Sequence, residues 1–239
     1  MKDGHTIAVL IPALDEEESI GAVVGSMPAW VDRIVVVDNG SRDATAERAR
    51  CAGAEVVSET KRGYGSACLA GMKQLRDVSL VVFCDGDGAN DPVDMALLVE
   101  PLLEGHADLV IGSRTLGQAE MRALSPVQRF GNALACCLMR WFWRRRFTDL
   151  GPFRAITGEA LTRLDMRETA MGWTIEMQVK ALRAGLRVDE VPVACRRRVA
   201  GRSKISGSFI GSIKAGSRIL YVIAKARLRD PAARAGTNA

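Results

Sequence analysis

The residues most able to do chemistry in this chain are two carboxylates, Asp85 and Asp87, which follow the short apolar run 80–83. The run predicts a buried strand of a parallel sheet, and open α/β sheets bind ligands at the carboxyl ends of their strands. Alternate residues of an extended segment point the same way, so both carboxylates can face one site. Two hard oxygen ligands there suit Mg²⁺ or Mn²⁺ carrying a diphosphate, and the alternative is a solvated Asp-Gly turn.

Three other predicted strands also end in polar residues. The first ends in segment 12–16, the second ends in 38–41, and the third leads to 61–65. Carboxylates at these places can accept hydrogen bonds from a ribose hydroxyl or a base N–H, although each segment alone is also typical of a turn or a helix cap. The candidate nucleotide-binding residues are Pro12, Ala13, Leu14, Glu16, Asp38, Asn39, Lys61, Gly65, Asp85, Gly86 and Asp87.

The pair Gly63-x-Gly65 partly matches a dinucleotide-binding loop. Such a loop needs a third glycine at position 68, which is Cys68 here, and it follows the first strand of a sheet rather than the third. We therefore interpret the two glycines as residues that let this loop approach a nucleotide closely.

Apolar runs alternate with helical stretches through residue 111, which predicts right-handed βαβ units and a mostly parallel sheet. The predicted strands are 7–11, 34–37, 54–57, 80–83 and 109–111, and the predicted helices are 16–26, 43–52, 65–76 and 93–104. The less regular second half predicts helices at 126–143, 173–184 and 209–228, a strand at 187–191, a basic loop at 195–204 and a disordered tail at 231–239. We expect one domain over 1–230, with halves 1–115 and 116–230.

Composition and hydropathy indicate a globular protein rather than one that spans a membrane. A hydrophobic content of 48% and a charged content of 26% are ordinary for a globular protein, and no apolar stretch reaches the roughly 20 residues that span a bilayer. The six cysteines lack metal-type spacing and no signal peptide is evident, which indicates reduced thiols in the cytoplasm. Residues 1–120 contain 10 Lys and Arg against 20 Asp and Glu, whereas 121–239 contain 23 against 8. The basic half should therefore meet an anionic partner.

Several motifs, taken in order, resemble one known family. They are Pro12 to Glu16, Val37 to Thr45, Arg62 to Gly65, Asp85-Gly86-Asp87, Gly112-Ser113-Arg114 and Gly201 to Lys204. They look like family 2 glycosyltransferases of the GT-A fold, and are most similar to the dolichyl- or polyprenyl-phosphate sugar synthases. The resemblance covers about residues 6–208. It implies a GT-A fold with a Rossmann-like nucleotide-binding half and an acceptor half, and an inverting sugar transfer from a UDP- or GDP-sugar with a divalent metal on the diphosphate.

The chain departs from the family pattern at two places. The family often has a second Asp after the Asp38-type residue, and the Asn39 found here would alter the base or ribose contacts. The family also often has a Gln shortly after the D-x-D triplet as a further metal ligand, where this chain has Ala89 with Asn90 beside it. The resemblance therefore implies a metal held by Asp87, the diphosphate and water, with Asp85 in support.

Arginine is well suited to bind phosphate because its planar guanidinium donates two parallel hydrogen bonds. By resemblance, Arg114 and Arg129 would hold an acceptor phosphate, and Arg202 and Lys204 would close over the donor diphosphate and neutralise the leaving group. The alternative for Arg114 and Arg129 is a solvated basic face, and that alternative fits segment 196–198 better.

A catalytic base is needed only for some acceptors. A phosphate monoester, with a second pKa of about 6, is mostly ionised at neutral pH, whereas an alcohol needs a base within hydrogen-bond reach. The candidate bases are Glu176 and Asp149, and both have a structural alternative: Asp149 could brace its loop, and Glu176 could sit in the first turn of a helix. The candidate catalytic residues are Asp85, Asp87, Arg114, Arg129, Asp149 and Glu176.

Segments 133–147 and 209–229 mix aromatic and apolar residues with arginine and lysine, which is typical of helices at a membrane interface. The alternative is packing on the core or a homo-oligomer interface. We expect a peripheral protein at the cytoplasmic face of an anionic membrane, using a lipid phosphate or another lipid as acceptor, alone or with a membrane partner subunit. A soluble hydroxyl acceptor and a nucleic-acid-binding module are the alternatives, and no nucleic-acid partner is expected because no such binding motif is present.

Overall fold

The computed structural model describes residues 1–117, 124–198 and 209–228, with side chains from 215 onward in the last segment. These residues form a seven-stranded sheet in the order β3-β2-β1-β4-β6-β5-β7. The strands are β1 (Ile7–Ala13), β2 (Arg33–Asp38), β3 (Glu55–Ser58), β4 (Leu80–Phe83), β5 (Leu109–Ser113), β6 (Arg154–Thr157) and β7 (Val188–Pro192). Neighbouring strands are parallel except where β6 pairs with β4 and β5.

Helices connect the strands and cover both faces of the sheet. They are α1 (Ile20–Gly25), α2 (Thr45–Cys51), α3 (Tyr64–Met72), α4 (Met95–Leu103), α5 (Pro126–Trp143), α6 (Gly158–Leu164), α7 (Trp173–Arg183) and α8 (Phe209–Leu228). The apolar residues of α1, α2 and α4 pack on one face, and those of α3 and of α5 to α8 pack on the other. Across the described ranges, no helix is both long and apolar enough to cross a membrane.

The central strands are apolar at nearly every position because helices cover the sheet on both sides. In β1, alternate side chains enter the two apolar layers: Ala8 and Leu10 pack in one layer, and Ile7, Val9 and Ile11 line the other. Since polar residues are excluded from these layers, the sheet places its polar side chains at the strand ends, where the candidate site lies.

The antiparallel strand β6 is the main element that the sequence analysis missed. It lies between β4 and β5, so that Phe83 and Ile111 are both register partners of Arg154. Thr157 ends the strand and caps α6, which was also missed, by accepting a hydrogen bond from the Ala160 N–H at 3.2 Å. A four-residue strand that begins with a charged residue leaves no apolar run to recognise.

The predicted mostly parallel α/β sheet is confirmed, and the structure has α5 and α8 at their predicted bounds. Helix α1 begins at Ile20 rather than at residue 16, because residues 16–19 form a turn in which the Ser19 and Ile20 N–H groups donate to the Glu16 carbonyl. The division into halves 1–115 and 116–230 stays a prediction. The predicted loop residues 199–204 and the predicted tail 231–239 lie outside the described residues.

Candidate active site

The carboxyl ends of β1, β2 and β4 meet at one edge of the sheet, and the residues that follow them form the candidate site. Ala13 at the end of β1 is the register partner of Asp38 at the end of β2. On the other side of β1, the turn 85–87 packs so closely that a Cβ on Gly86 would lie 3.6 Å from that of Ala13. The Ser19 hydroxyl donates to the Gly86 carbonyl at 2.8 Å, so the loop after β1 and this turn form one continuous floor.

Asp85 lies on the inner side of the floor. Its N–H donates to Asn90 Oδ1 at 3.1 Å, and its Oδ1 accepts a hydrogen bond from the Tyr64 hydroxyl at 3.4 Å. Burial and the negative charge of Asp87 raise the pKa of Asp85 to about 7. This carboxyl therefore gains or loses a proton near neutral pH, and positive charge placed beside it favours its ionised form.

Asp87 faces the basic second half of the chain. Its Oδ1 accepts a hydrogen bond from the Ala89 N–H at 2.9 Å, and its Oδ2 accepts one from the Arg198 guanidinium at 3.0 Å. The same guanidinium lies 3.0 Å from Glu16 Oε1, so Arg198 bridges acidic residues from two strand ends. The assignment of Arg198 to a solvated face is wrong, because its side chain is only 22% exposed and is paired with Asp87, 111 residues away.

The carboxylates of this turn fit a divalent metal that also binds a diphosphate. Among the residues that the structure describes, no group of three or more His, Cys, Asp and Glu side chains forms a ready-made metal site. The side chain of Asn90 is turned toward the Asp85 N–H, and Ala89 has no side-chain oxygen. Asp85 and Asp87 thus supply hard oxygen ligands, and the remaining ligands would have to come from a diphosphate and water.

Asn39 holds a loop together instead of presenting its side chain to the site. Its Nδ2 donates to the carbonyls of Glu59 and Lys61, at 3.0 and 2.8 Å, and its Oδ1 accepts from the Gly63 N–H at 2.8 Å. The amide is therefore fully used within the loop that joins β3 to α3. These bonds, and an exposed surface of only 5%, favour a structural role for the Asn39 side chain over contact with a nucleotide.

The two glycines of that loop are required by protein packing. A Cβ on Gly65 would lie 2.1 Å from the Glu168 carbonyl oxygen, and one on Gly63 would lie 2.2 Å from that of Thr169. Gly63 also has a φ of 144°, which disfavours other residues. The side of Gly65 where a Cβ would stand is filled by segment 168–169, and its contact with a nucleotide stays a prediction.

The other predicted nucleotide-binding residues lie around the same edge. Pro12 and Leu14 are partly exposed at the end of β1, Asp38 is partly exposed and accepts from the Ser41 N–H at 3.1 Å, and Lys61 is exposed. Arg202 and Lys204 lie outside the described residues.

Arg114 and Asp149 form a buried ion pair beside this floor. Arg114 follows β5 and donates through Nε and Nη2 to the two oxygens of Asp149, each at 2.7 Å, while its backbone N–H donates to Oδ2 at 2.9 Å. Burial opposes the charge of Arg114, but the hydrogen bonds and charge of Asp149 outweigh it and raise the pKa of the guanidinium. The structure favours the structural alternative for Asp149 over its role as a base, because Arg114 donates to both of its oxygens.

Glu176 is likewise held by other groups. Its carboxylate accepts hydrogen bonds from the backbone N–H groups of Arg167 and Glu168, the latter at 2.7 Å, and it forms an ion pair with Lys180 at 3.0 Å. The glutamate therefore fastens segment 165–169 to the first turn of α7. The structure favours the structural alternative for Glu176 over its role as a base.

Arg129 is exposed in the first turn of α5, which begins with a capping box between Ser125 and Gln128. One turn later, Asn132 Nδ2 donates to the Thr148 carbonyl at 3.1 Å, and Asn132 Oδ1 accepts from the Leu150 N–H at 2.9 Å. These bonds attach α5 to the loop that carries Asp149. Arg129 is thus on the same helix end that contacts the residues on either side of Asp149, although no hydrogen bond or ion pair joins Arg129 to Arg114 among the described residues.

Sequence reasoning missed Tyr64, Arg154 and Arg198. Tyr64 lies within the Arg62 to Gly65 motif, and its place in that motif is the sequence signal that points to it. Arg198 belongs to a run of three arginines that gave no sign of which one turns inward. Arg154 is wholly buried, and only the register of β6 reveals its place between the two functional strand ends.

The mostly parallel sheet with a carboxylate-rich strand edge is the architecture of a GT-A glycosyltransferase. Residues 8–165 match the sequence model of Glycosyl transferase family 2, and the chain belongs to this family. An uncharacterised glycosyltransferase of Mycobacterium tuberculosis is 39% identical over 215 residues, covering 88% of this chain and 94% of the relative. The protein is therefore a family 2 glycosyltransferase.

Two further relatives differ in the acceptor that their names specify. An undecaprenyl-phosphate mannosyltransferase of Micrococcus luteus is 29% identical over 219 residues, covering 86% of this chain and 89% of the relative. A solved structure of glucosyl-3-phosphoglycerate synthase from Mycobacterium tuberculosis, in complex with Mn²⁺, UDP and glucosyl-3-phosphoglycerate, is 26% identical. It aligns with a TM-score of 0.72 over 93% of this chain and 81% of that one.

Proposed function

We propose that the protein transfers a sugar from a UDP- or GDP-sugar, with Mg²⁺ or Mn²⁺, to a polyprenyl phosphate at an anionic membrane surface. The observation that carries this proposal is that both candidate bases are already bound, Asp149 by Arg114 and Glu176 by segment 167–168 and Lys180. A phosphate monoester is mostly ionised at neutral pH and can attack the sugar without a base. The described site therefore suits an acceptor that is itself an anion.

The donor would occupy the floor formed by the ends of β1, β2 and β4, in the proposed half 1–115. Asp87, with Asp85, would hold the metal against the diphosphate, and Asp38 and Pro12, at the ends of β2 and β1, would contact the base and ribose. A bound divalent cation supplies positive charge that offsets the charge developing on the leaving diphosphate. Arg198 adds a guanidinium to the same place, 3.0 Å from Asp87 Oδ2. The Mn²⁺ and UDP of the solved synthase support this assignment.

The acceptor phosphate would bind at Arg114, which follows β5 at the end of the proposed half 1–115 and faces Asp149 of the proposed half 116–230. Asp149 occupies the Nε and Nη2 groups of this guanidinium, and among the described residues none accepts from Nη1. The side chain is 18% exposed, so the remaining donors can reach a ligand. Asp149 thus fixes the orientation of the Arg114 guanidinium while leaving its Nη1 group for a second anion.

The outer side of α5 supports membrane binding. Exposed residues follow one another at alternating spacings of three and four, which places them along a single helix face. They are Val127, Phe130, Leu134, Cys137 and Trp141. On α8, Tyr221 is 51% exposed and lies under both Arg218 and Lys225, with ring distances of 5.0 and 5.6 Å.

The positive charge of α5 and α8 favours an anionic membrane over a second copy of the chain as the partner of this face. Helices α5 and α8 contain no Asp or Glu, whereas α5 and the residues after it carry Arg129, Arg140, Arg144, Arg145 and Arg146. Two copies packed through α5 would bring these arginines together, and their repulsion opposes association. Anionic headgroups instead contribute roughly 1 kcal/mol for each basic residue near the surface.

A transfer assay tests the function. Purified protein is given UDP- or GDP-sugars and undecaprenyl phosphate in anionic vesicles, with Mn²⁺ or with EDTA. We expect metal-dependent formation of a glycosyl lipid phosphate from at least one nucleotide sugar. Absence of product from every donor, while 3-phosphoglycerate accepts sugar, would move the assignment to a soluble acceptor.

Transfer of the sugar to a soluble acceptor is the second candidate function. It is favoured by the solved synthase, which aligns over 93% of this chain and holds glucosyl-3-phosphoglycerate. Its name specifies a small phosphorylated acceptor, which Arg114 could also bind through an anionic group. This candidate predicts transfer without vesicles and a need for a base.

Vesicle binding separates the two candidates further. We expect co-sedimentation with anionic vesicles, release at high salt, and loss of binding when Phe130 and Trp141 are both changed to Ser. The matched control is Val93→Ser, which removes a 78% exposed apolar side chain from the first half and should not affect binding. Equal binding by both variants would exclude α5 as the membrane contact.

A further inference from the structure

Arg154 is a buried guanidinium that the proposed function does not use. It has no exposed surface, and it donates to backbone carbonyls: Nε to Gly151 at 2.9 Å, Nη2 to Leu150 at 3.0 Å and Nη1 to Thr174 at 3.0 Å. In the part of the chain that the structure describes, no carboxylate forms a salt bridge with it. Burial lowers the pKa of Arg154 to about 10, so the side chain is still charged at neutral pH.

A buried charge without a direct ion pair costs stability, and its hydrogen bonds must offset that cost. Two of the three carbonyls that Arg154 contacts belong to Leu150 and Gly151, which directly follow Asp149. The third belongs to Thr174 in the first turn of α7. The guanidinium therefore holds the turn 149–151 against the first turn of α7.

Arg154 also lies between the two strand ends that the reaction needs. Its register partners are Phe83 in β4, two residues before Asp85, and Ile111 in β5, three residues before Arg114. A Cβ on Gly151 would lie 2.2 Å from the Gly112 carbonyl oxygen, so the turn rests directly on β5. Any shift of this turn must therefore move Asp149 relative to Arg114.

Other elements hold the rest of the turn. Gln178 Nε2 on α7 donates to the Asp149 carbonyl at 3.1 Å, and the Asp149 N–H donates to Glu190 on β7 at 3.2 Å. Arg154 is the residue that binds the two carbonyls immediately after the aspartate. A lysine there could not reach three carbonyls at once, because its ammonium is a compact group whereas the guanidinium is a planar fork.

We infer that Arg154 is a positioning residue for the acceptor step: by holding the carbonyls of residues 150 and 151, it fixes Asp149, which in turn orients Arg114. This inference rests on the proposed function in assigning the acceptor phosphate to Arg114. The guanidinium of Arg154 touches neither substrate, and it acts only through the turn.

The test compares Arg154→Lys and Arg154→Gln with a matched control, Arg163→Lys. Arg163 also donates to a backbone carbonyl, that of Ala184 at 3.1 Å, but it joins α6 to the end of α7 and is exposed. The first measurement is the ¹⁵N Nε–Hε NMR signal of Arg114, which needs no acceptor. We expect a protected signal in the wild type and control, and a shifted, rapidly exchanging one in both Arg154 variants.

The second measurement is kinetic. We expect both Arg154 variants to bind UDP with Mn²⁺ within about twofold of the wild type, and to lose tenfold or more in kcat/KM for undecaprenyl phosphate. Combining Arg154→Lys with Arg114→Lys should cost no more than Arg114→Lys alone, because both changes remove the same orientation.

Each result decides the inference. Additive losses, weakened UDP binding equal to the acceptor loss, an unchanged Arg114 signal, or failure of both variants to fold would show that Arg154 serves stability alone. If the wild type does not use undecaprenyl phosphate, the proposed function fails, and the Arg114 signal still tests the positioning role.

Discussion

The edge where the donor is proposed to bind, at the ends of β1, β2 and β4, and the side proposed for the acceptor, around Arg114 and Asp149, are held together in different ways. At this donor edge, most bonds to Asp85, Asp87 and Asn39 come from groups within about 25 residues of them, such as Asn90, Ala89 and Gly63, and the ion pair between Asp87 and Arg198 is the long-range exception. On the acceptor side, Arg114 depends on Asp149, 35 residues away, and that aspartate depends on α5, α7, β6 and β7. The donor edge thus rests mostly on local turns, whereas the acceptor side rests on elements from across the assembled sheet.

The strongest test of the donor edge is Asp87→Asn. This change removes a charged metal ligand without changing the size of the side chain, so we expect transfer to fall at least about 1,000-fold with folding intact. EDTA should have the same effect on the wild type. Activity is measured with each nucleotide sugar, and folding by circular dichroism. Full activity of the variant, or of the wild type in EDTA, would contradict a metal at this turn.

The acceptor side is tested by Arg114→Lys. Lysine keeps the positive charge beside Asp149 but loses the fork, so we expect kcat/KM for the acceptor to fall roughly 100-fold. UDP affinity, measured by calorimetry with Mn²⁺, should stay within about twofold. Arg163→Lys is the control. If UDP binding falls as much as acceptor use, the two regions are not separable.

The pH dependence of stability tests the burial of Asp85. Because its pKa is raised to about 7 from 3.8, the folded protein binds more protons than the unfolded chain between these values. The contribution of Asp85 to the free energy of unfolding in EDTA should therefore decrease as pH rises from about 4 to 7, by on the order of 1–3 kcal/mol.

Urea unfolding at pH 5 and pH 8 measures this loss. Asp85→Asn should abolish it and make the metal-free protein more stable at pH 8, whereas Asp77→Asn, at an exposed carboxylate, should leave it unchanged. An identical pH profile for wild type and Asp85→Asn would show that Asp85 is ionised throughout.

The smallest effect is expected for Glu176→Gln. Glutamine retains an acceptor for the N–H groups of segment 167–168 and loses only the ion pair with Lys180, so activity should stay within about threefold. Stability should fall by about 0.5–1 kcal/mol. The measurement is kcat with undecaprenyl phosphate and with 3-phosphoglycerate. An inactive variant would make Glu176 a base and favour a hydroxyl acceptor.

The sequence best predicted those parts of the molecule that are formed by residues close together in the chain. The strands before residue 113 follow from their apolar runs, and the family follows from the order of the motifs. The sequence did not reveal the structural contacts of Asn39 and Gly65, because their partners, the loop carbonyls and segment 168–169, come together only after folding. For Asp149 the sequence left a base and a loop brace as alternatives, because its bond to Arg114 joins residues from different elements.

One physical cause explains why the partners of these residues could not be read from the sequence. A polar residue near a motif has two possible partners, a ligand or another part of the protein, and the residue type does not distinguish them. Arg198 shows the opposite error, since a run of arginines on an exposed loop gave no sign that one of them reaches Asp87. Long-range ion pairs leave no periodic pattern, and therefore sequence analysis detects the donor edge better than the acceptor side.

The insertion of β6 between β4 and β5 also sets a distance. Neighbouring strands lie about 4.8 Å apart, so the backbones that lead to Asp85 and to Arg114 are separated by roughly 10 Å rather than by a single strand spacing. One short antiparallel strand would thus keep the proposed donor diphosphate and acceptor phosphate about two strand spacings apart, so that both anions can be held at the same time.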